Sequence, residues 1–112
     1  MAVLERFALW APVALWAALI FVLSSIPDLT TGLVWDAVVR KVAHAGEYAV
    51  LGALLARALA RDRVAFVLGS AYAVTDEIHQ SFVEGRVGSP LDWWVDTAGV
   101  AIGIVALARL AR

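Results

Sequence analysis

The 112-residue chain has no cysteine, which excludes a disulfide scaffold, a thiolate metal site and a thiol nucleophile. Charge is scarce as well. Asp, Glu, Lys and Arg make up 17% of the residues, where a soluble domain carries about a quarter. The net charge is −1 and there is no basic block, so nucleic acid is not an expected partner. The serines sit in no Gly-x-Ser-x-Gly elbow, and neither a His-Glu-x-x-His pair nor a P-loop is present. What the chain does have is apolar surface. It is 62% hydrophobic, above the roughly half of an ordinary globular domain. A composition of this kind is that of a small integral membrane protein rather than a disordered tail.

Four stretches approach the roughly 20 mostly apolar residues that a bilayer core requires. They cover about 7–23, 42–60, 64–82 and 91–110 within a single domain, 1–112. The first could be mistaken for a signal peptide behind Arg6. However, its apolar run is too long, and the segment from Leu23 to Pro27 is a poor cleavage site, so we read it as a retained helix. Only Arg61-Asp62-Arg63 separates the second and third stretches, which forces an antiparallel hairpin. The expected fold is therefore all-α, an integral membrane bundle of four transmembrane helices. Arg6, Arg57, Arg61, Arg63, Arg109 and Arg112 fall on one side of it, and Arg40, Lys41 and Arg86 on the other. The positive-inside rule then makes both termini cytoplasmic and sets Trp35, Trp93 and Trp94 at the outer interface.

The remaining polar residues are not scattered. Lys41, His44 and Tyr48 follow i, i+3, i+7 and share one helix face. Asp76, Glu77, His79 and Gln80 crowd the outer end of the third span. Asp92 and Asp96 mark that of the fourth, with Gly99 and Gly103 continuing the face. Tyr48, Asp76 and Asp96 each lie twelve to fourteen residues from the cytoplasmic end of their span. At about 1.5 Å per residue that is roughly 18–21 Å into a core about 30 Å thick. Three helices thus present polar groups at one depth. Carboxylates placed there cost about 2.5–3.5 kcal/mol each if they face lipid, so they must turn inward to a common outward-facing pocket.

At these residues the chain resembles a known family. Phe21-x-Leu23-Ser24-Ser25-x-Pro27, Lys41-x-x-His44-x-x-x-Tyr48-x-x-Leu51-Gly52, Asp76-Glu77-Ile78-His79-Gln80, Gly85-Arg86, Ser89, Asp92 and Thr97-x-Gly99-x-x-x-Gly103 occur in the order of a VanZ-like membrane protein. The resemblance implies an integral membrane protein of the bacterial plasma membrane, in a family whose namesake is linked to teicoplanin resistance. It implies no settled chemistry. The family pattern often has Asn where this chain has Asp96, which adds a potential negative charge to the pocket.

Lys41, His44, Tyr48, Asp76, Glu77, Gln80, Arg86, Asp92 and Asp96 are the candidate ligand-binding residues. Arg86 is the candidate anion clamp, because its guanidinium presents paired donors that match phosphate. One reading is a module that recognises or shields an anionic lipid or a lipid-linked cell-wall precursor. A second is an intramembrane hydrolase or transferase acting on a lipid-linked phosphate or ester. In it His44, Asp76 and Glu77 would be catalytic, and a divalent metal is conceivable though not favoured. A third is a small structural partner in an envelope complex. The bland alternative is that Lys41 and Arg86 merely balance neighbouring carboxylates, and that the glycines merely pack helices. Membrane lipids are the expected surroundings, and oligomeric state is left open.

Overall fold

The computed structural model describes residues 2–26, 35–83 and 90–111. These form four helices: α1 Val3–Ser24, α2 Trp35–Leu59, α3 Asp62–Ser81 and α4 Pro90–Ala111, with no strand among the described residues. At 20 to 25 residues each, they are about 30–38 Å long. Charges at their ends complement the helix dipole. Asp36, Asp62 and Asp92 stand in first turns, and Arg57 and Arg109 in last turns. Pro90 opens α4, where its missing N–H costs no hydrogen bond. Pro12 lies inside α1, which nevertheless continues through it.

Two boundaries differ from those read off hydropathy. Residues 35–41 are the first two turns of α2, not linker, because Asp36, Arg40 and Lys41 interrupt the apolar run without breaking the helix. The α2–α3 joint is tighter than expected: Ala60 and Arg61 alone lie between the helices. Ala60 adopts a positive φ of 54° while its N–H still reaches Ala56 O at 2.8 Å. A left-handed residue is a common way to end a helix, although glycine usually fills the position.

The helices alternate in direction. Arg57 Nη2 donates to Ala8 O at 3.3 Å, and Trp16 Nε1 to Glu47 O at 2.8 Å, which makes α1 antiparallel to α2. Gly99 faces Ala45 and Gly103 faces Ala49, so α4 runs parallel to α2 and therefore against α3, whose Ser70 O accepts from Trp93 Nε1 at 3.2 Å. Both described ends of the chain therefore lie at the end of the bundle that carries the Arg61 turn, and Lys41 and Asp92 lie at the other.

Glycine sets the closest seam. A Cβ built on Gly99 or Gly103 would collide with the carbonyl group of Ala45 or Ala49, and one on Gly52 with the backbone of Val100. Side chains this small let α2 and α4 meet almost backbone to backbone, so the Gly99-x-x-x-Gly103 face is occupied within the chain. Around the seam the core is Tyr48, Leu51, Leu55 and Ala56 of α2 with Val100 and Ile104 of α4, closed by Ala65 and Ala73 of α3 and Ile20 of α1.

Apolar side chains are also plentiful on the outside. Phe7, Leu15, Val42, Val67, Ile102 and Val105 are all exposed, Leu15 to 72%. The buried set includes Ser24, Asp76, Gln80, Asp96 and Thr97. Water-soluble domains rarely bury carboxylates while leaving extended apolar faces uncovered. By length and mean hydropathy α1 and α4 can each cross a bilayer. Helices α2 and α3 carry the interior polar groups, which lowers theirs.

Candidate functional site

The face of α2 that carries Lys41, His44 and Tyr48 meets one carboxylate per residue. Lys41 Nζ donates to Asp92 Oδ1 at 3.0 Å, His44 Nδ1 lies 3.4 Å from Asp96 Oδ1, and Tyr48 Oη donates to Asp76 Oδ2 at 2.8 Å. Spacing on the helices explains the order. Asp92 and Asp96 are one turn apart on α4, which runs parallel to α2, so their rungs climb in step with Lys41 and His44. Asp76 comes from antiparallel α3 and supplies the deepest rung.

Burial grades along this ladder. The Lys41 and Asp92 side chains are 36% and 21% exposed, and that of His44 12%. Asp96 and Tyr48 are fully buried, and Asp76 nearly so. The open end therefore carries an ammonium–carboxylate pair, and the closed end carries two carboxylates with a phenol and an imidazole. Gln80 is buried beside Asp76, its Nε2 within 3.5 Å of Asp76 Oδ2 and 3.4 Å of Ser24 Oγ. That brings α1 into the network through Ser24.

Seven of the nine expected site residues thus stand in one ladder: Lys41, His44, Tyr48, Asp76, Gln80, Asp92 and Asp96. Arg86 lies outside the described residues. Glu77 is half-buried on α3, but one residue on from Asp76 is about 100° round the helix. Its carboxylate is not among the groups that converge with His44 and Asp96. His79 belongs to the α1 side. Its ring stacks on Phe21 with centroids 4.3 Å apart and planes 6° apart, and Nε2 is 3.3 Å from Ser25 Oγ. Trp93 turns partly inward and meets Trp94 edge-on at 5.0 Å, while Trp35 and Trp94 remain exposed. Trp16 and Tyr72 were not anticipated. Both donate to backbone carbonyls, of Glu47 and Ala17, and tie α1 to its neighbours.

His44, Asp76 and Asp96 each offer a ligand atom within 4.8 Å of the others. Such a group can hold a cation, or share and pass protons. Lys41 at the open end can bind an anion, since an ammonium has three donors and Asp92 accepts from one.

Comparison with curated proteins and with solved structures returns no match. The VanZ/LLP1 family model, however, matches residues 4–112, which take in the four helices apart from Val3 and the whole ladder. The chain belongs to the VanZ/LLP1 family.

Proposed function

We propose that this protein spans the bacterial plasma membrane with all four helices and works at the cell envelope by recognising or shielding an anionic lipid or a lipid-linked cell-wall precursor. Its termini and the Arg61 turn would be cytoplasmic, and the ladder would open outward. The observation that carries this reading is the half-exposed Lys41 ammonium at the mouth of an otherwise buried acidic column, hydrogen-bonded there to Asp92. A phosphate oxygen reaching the mouth would find a cation held in place and ready to donate. Arg86 joins this reading on its chemistry, as a second donor for the same phosphate. Shielding such a headgroup would alter how a glycopeptide such as teicoplanin meets its target.

The test uses the purified chain in nanodiscs, titrated with phosphatidylglycerol and with a polyprenyl pyrophosphate. Lys41→Ala and Arg86→Ala should each weaken binding of both. Unchanged binding and unchanged drug susceptibility in both variants would remove the reading. Its orientation is checked by thiol labelling, for which the cysteine-free chain is a clean background. Arg61→Cys should react from the cytoplasmic side only.

A second reading, an intramembrane hydrolase or transferase acting on a lipid-linked phosphate or ester, is favoured by the convergence of His44, Asp76 and Asp96. There His44 would move a proton and Asp76 would hold it, with Tyr48 and Gln80 fixing the carboxylate. Turnover of a labelled carrier lipid that disappears in His44→Gln would establish it. Absence of turnover on phospholipids and polyprenyl phosphates would exclude it.

A further inference from the structure

We propose that His44, Asp76 and Asp96 form a binding site for one divalent transition-metal cation, zinc or manganese, in the interior of the bundle. The site is independent of any lipid at the Lys41 mouth.

The first ground is charge. Asp76 and Asp96 are buried on different helices, and the amine closest to them in the ladder, Lys41, already meets Asp92 at 3.0 Å. Tyr48 and Gln80 donate hydrogen bonds but bring no charge. Two interior carboxylates therefore gather where the ladder supplies only an imidazole. Buried charges of one sign require an opposite charge or a proton, and a dication matches two carboxylates.

The second ground is Asp96 itself. It is fully buried, and neither of its carboxylate oxygens accepts a hydrogen bond among the described residues, although His44 Nδ1 is 3.4 Å from one of them. A purely structural clamp would satisfy that carboxylate with donors, as Tyr48 satisfies Asp76. A cation between Asp96, His44 and Asp76 would satisfy it directly.

Geometry and donor type agree. Ligands about 2.1–2.4 Å from one ion lie at most about 4.2–4.8 Å apart, and the three donors fall within 4.8 Å of one another. An imidazole with two carboxylates suits zinc or manganese better than the all-oxygen shells of magnesium and calcium. Both hydrogen bonds to Asp76 fall on Oδ2. Tyr48 and Gln80 thus orient the carboxylate and leave Oδ1 to ligate, as outer partners do in metal centres. Three protein donors would leave a coordination position open.

The test uses the full chain in phosphatidylcholine nanodiscs, which contain no anionic lipid, so failure here is separate from failure of the lipid reading. Equilibrium dialysis against Zn²⁺ and Mn²⁺, followed by elemental analysis, should give one ion per chain. Co²⁺ should give the visible absorption of a nitrogen- and oxygen-ligated site. Asp96→Asn and His44→Gln should each lower affinity by at least about tenfold, given that loss of even an outer partner costs about 10–100-fold. His79→Gln should not change it. No saturable binding by the wild-type chain would overturn the proposal, as would wild-type affinity in Asp96→Asn or an equal loss in His79→Gln. Should Asp96→Asn fail to fold, the cobalt spectrum of the wild type and the affinity of His44→Gln decide.

Discussion

Replacing Gly103 with Ala adds one methyl group at the place where the bundle has least room. That Cβ would stand 2.6 Å from the carbonyl carbon of Ala49 and 2.8 Å from its Cα, and closer still to the oxygen. Carbon atoms pack at about 3.5–4.0 Å, so α4 must withdraw from α2 by roughly 1 Å. The obstacle is backbone inside a helix, which cannot step aside as a side chain can. Overpacking of this kind costs about 1–3 kcal/mol or more, and withdrawal also lengthens the Lys41–Asp92 and His44–Asp96 rungs. Gly46 is the control. It lies on the same helix as Ala49 with nothing within 4 Å of its missing Cβ. Gly46→Ala should gain up to about 1 kcal/mol of helix propensity. The two variants carry the same chemical change and the same gain in helix propensity, so the overpacking cost alone, about 1–3 kcal/mol, should separate them. Reversible unfolding in mixed micelles, followed by helicity against SDS mole fraction, measures the gap. If Gly103→Ala unfolds at the same SDS fraction as Gly46→Ala, the α2–α4 seam does not hold the bundle together and the reasoning fails.

Three further outcomes follow from named contacts. Tyr48→Phe keeps the shape of a buried ring but removes the donor to Asp76. It should lower stability by about 1–3 kcal/mol in the same unfolding assay, and a change under about 0.3 kcal/mol would show that Asp76 finds another partner. Ala60→Gly relieves a left-handed alanine at the α2–α3 joint and should stabilise by about 1 kcal/mol. Trp16→Phe combined with Tyr72→Phe removes two side-chain bonds to backbone carbonyls between α1 and its neighbours. Hydrogen exchange should then quicken in α1 while protection along α2 and α4 is kept, and uniform loss of protection would contradict this.

Much of the site could be read from spacing because helical rise is rigid. Counting from the helix ends on the side of the Arg61 turn put Tyr48, Asp76 and Asp96 at one level, and the i, i+3, i+7 interval put Lys41, His44 and Tyr48 on one face. Pairing could not be read in the same way. Nothing in the spacing assigns Asp92 to Lys41 rather than Asp76 or Glu77, because that depends on helix rotation, which the Gly99 and Gly103 contacts with α2 fix. Rotation also separates Asp76 from Glu77, adjacent in sequence and equally acidic. His79 met Phe21 through a stacking contact that has no periodic signature. The early start of α2 was hidden because hydropathy reports where an apolar run begins, and a helix can begin before it.

The exposed apolar shell and the polar interior divide the sequence into two texts with different grammars. Side chains such as Leu15, Val67 and Ile102 are mostly exposed, so a residue of similar oiliness should serve there, and these positions should tolerate exchange among Leu, Val, Ile and Phe. The seam glycines and the ladder residues have no such latitude. A water-soluble analogue of the protein should therefore be obtainable by rewriting the shell in polar residues and leaving the interior strip untouched. That would make the ladder accessible to solution spectroscopy outside any bilayer.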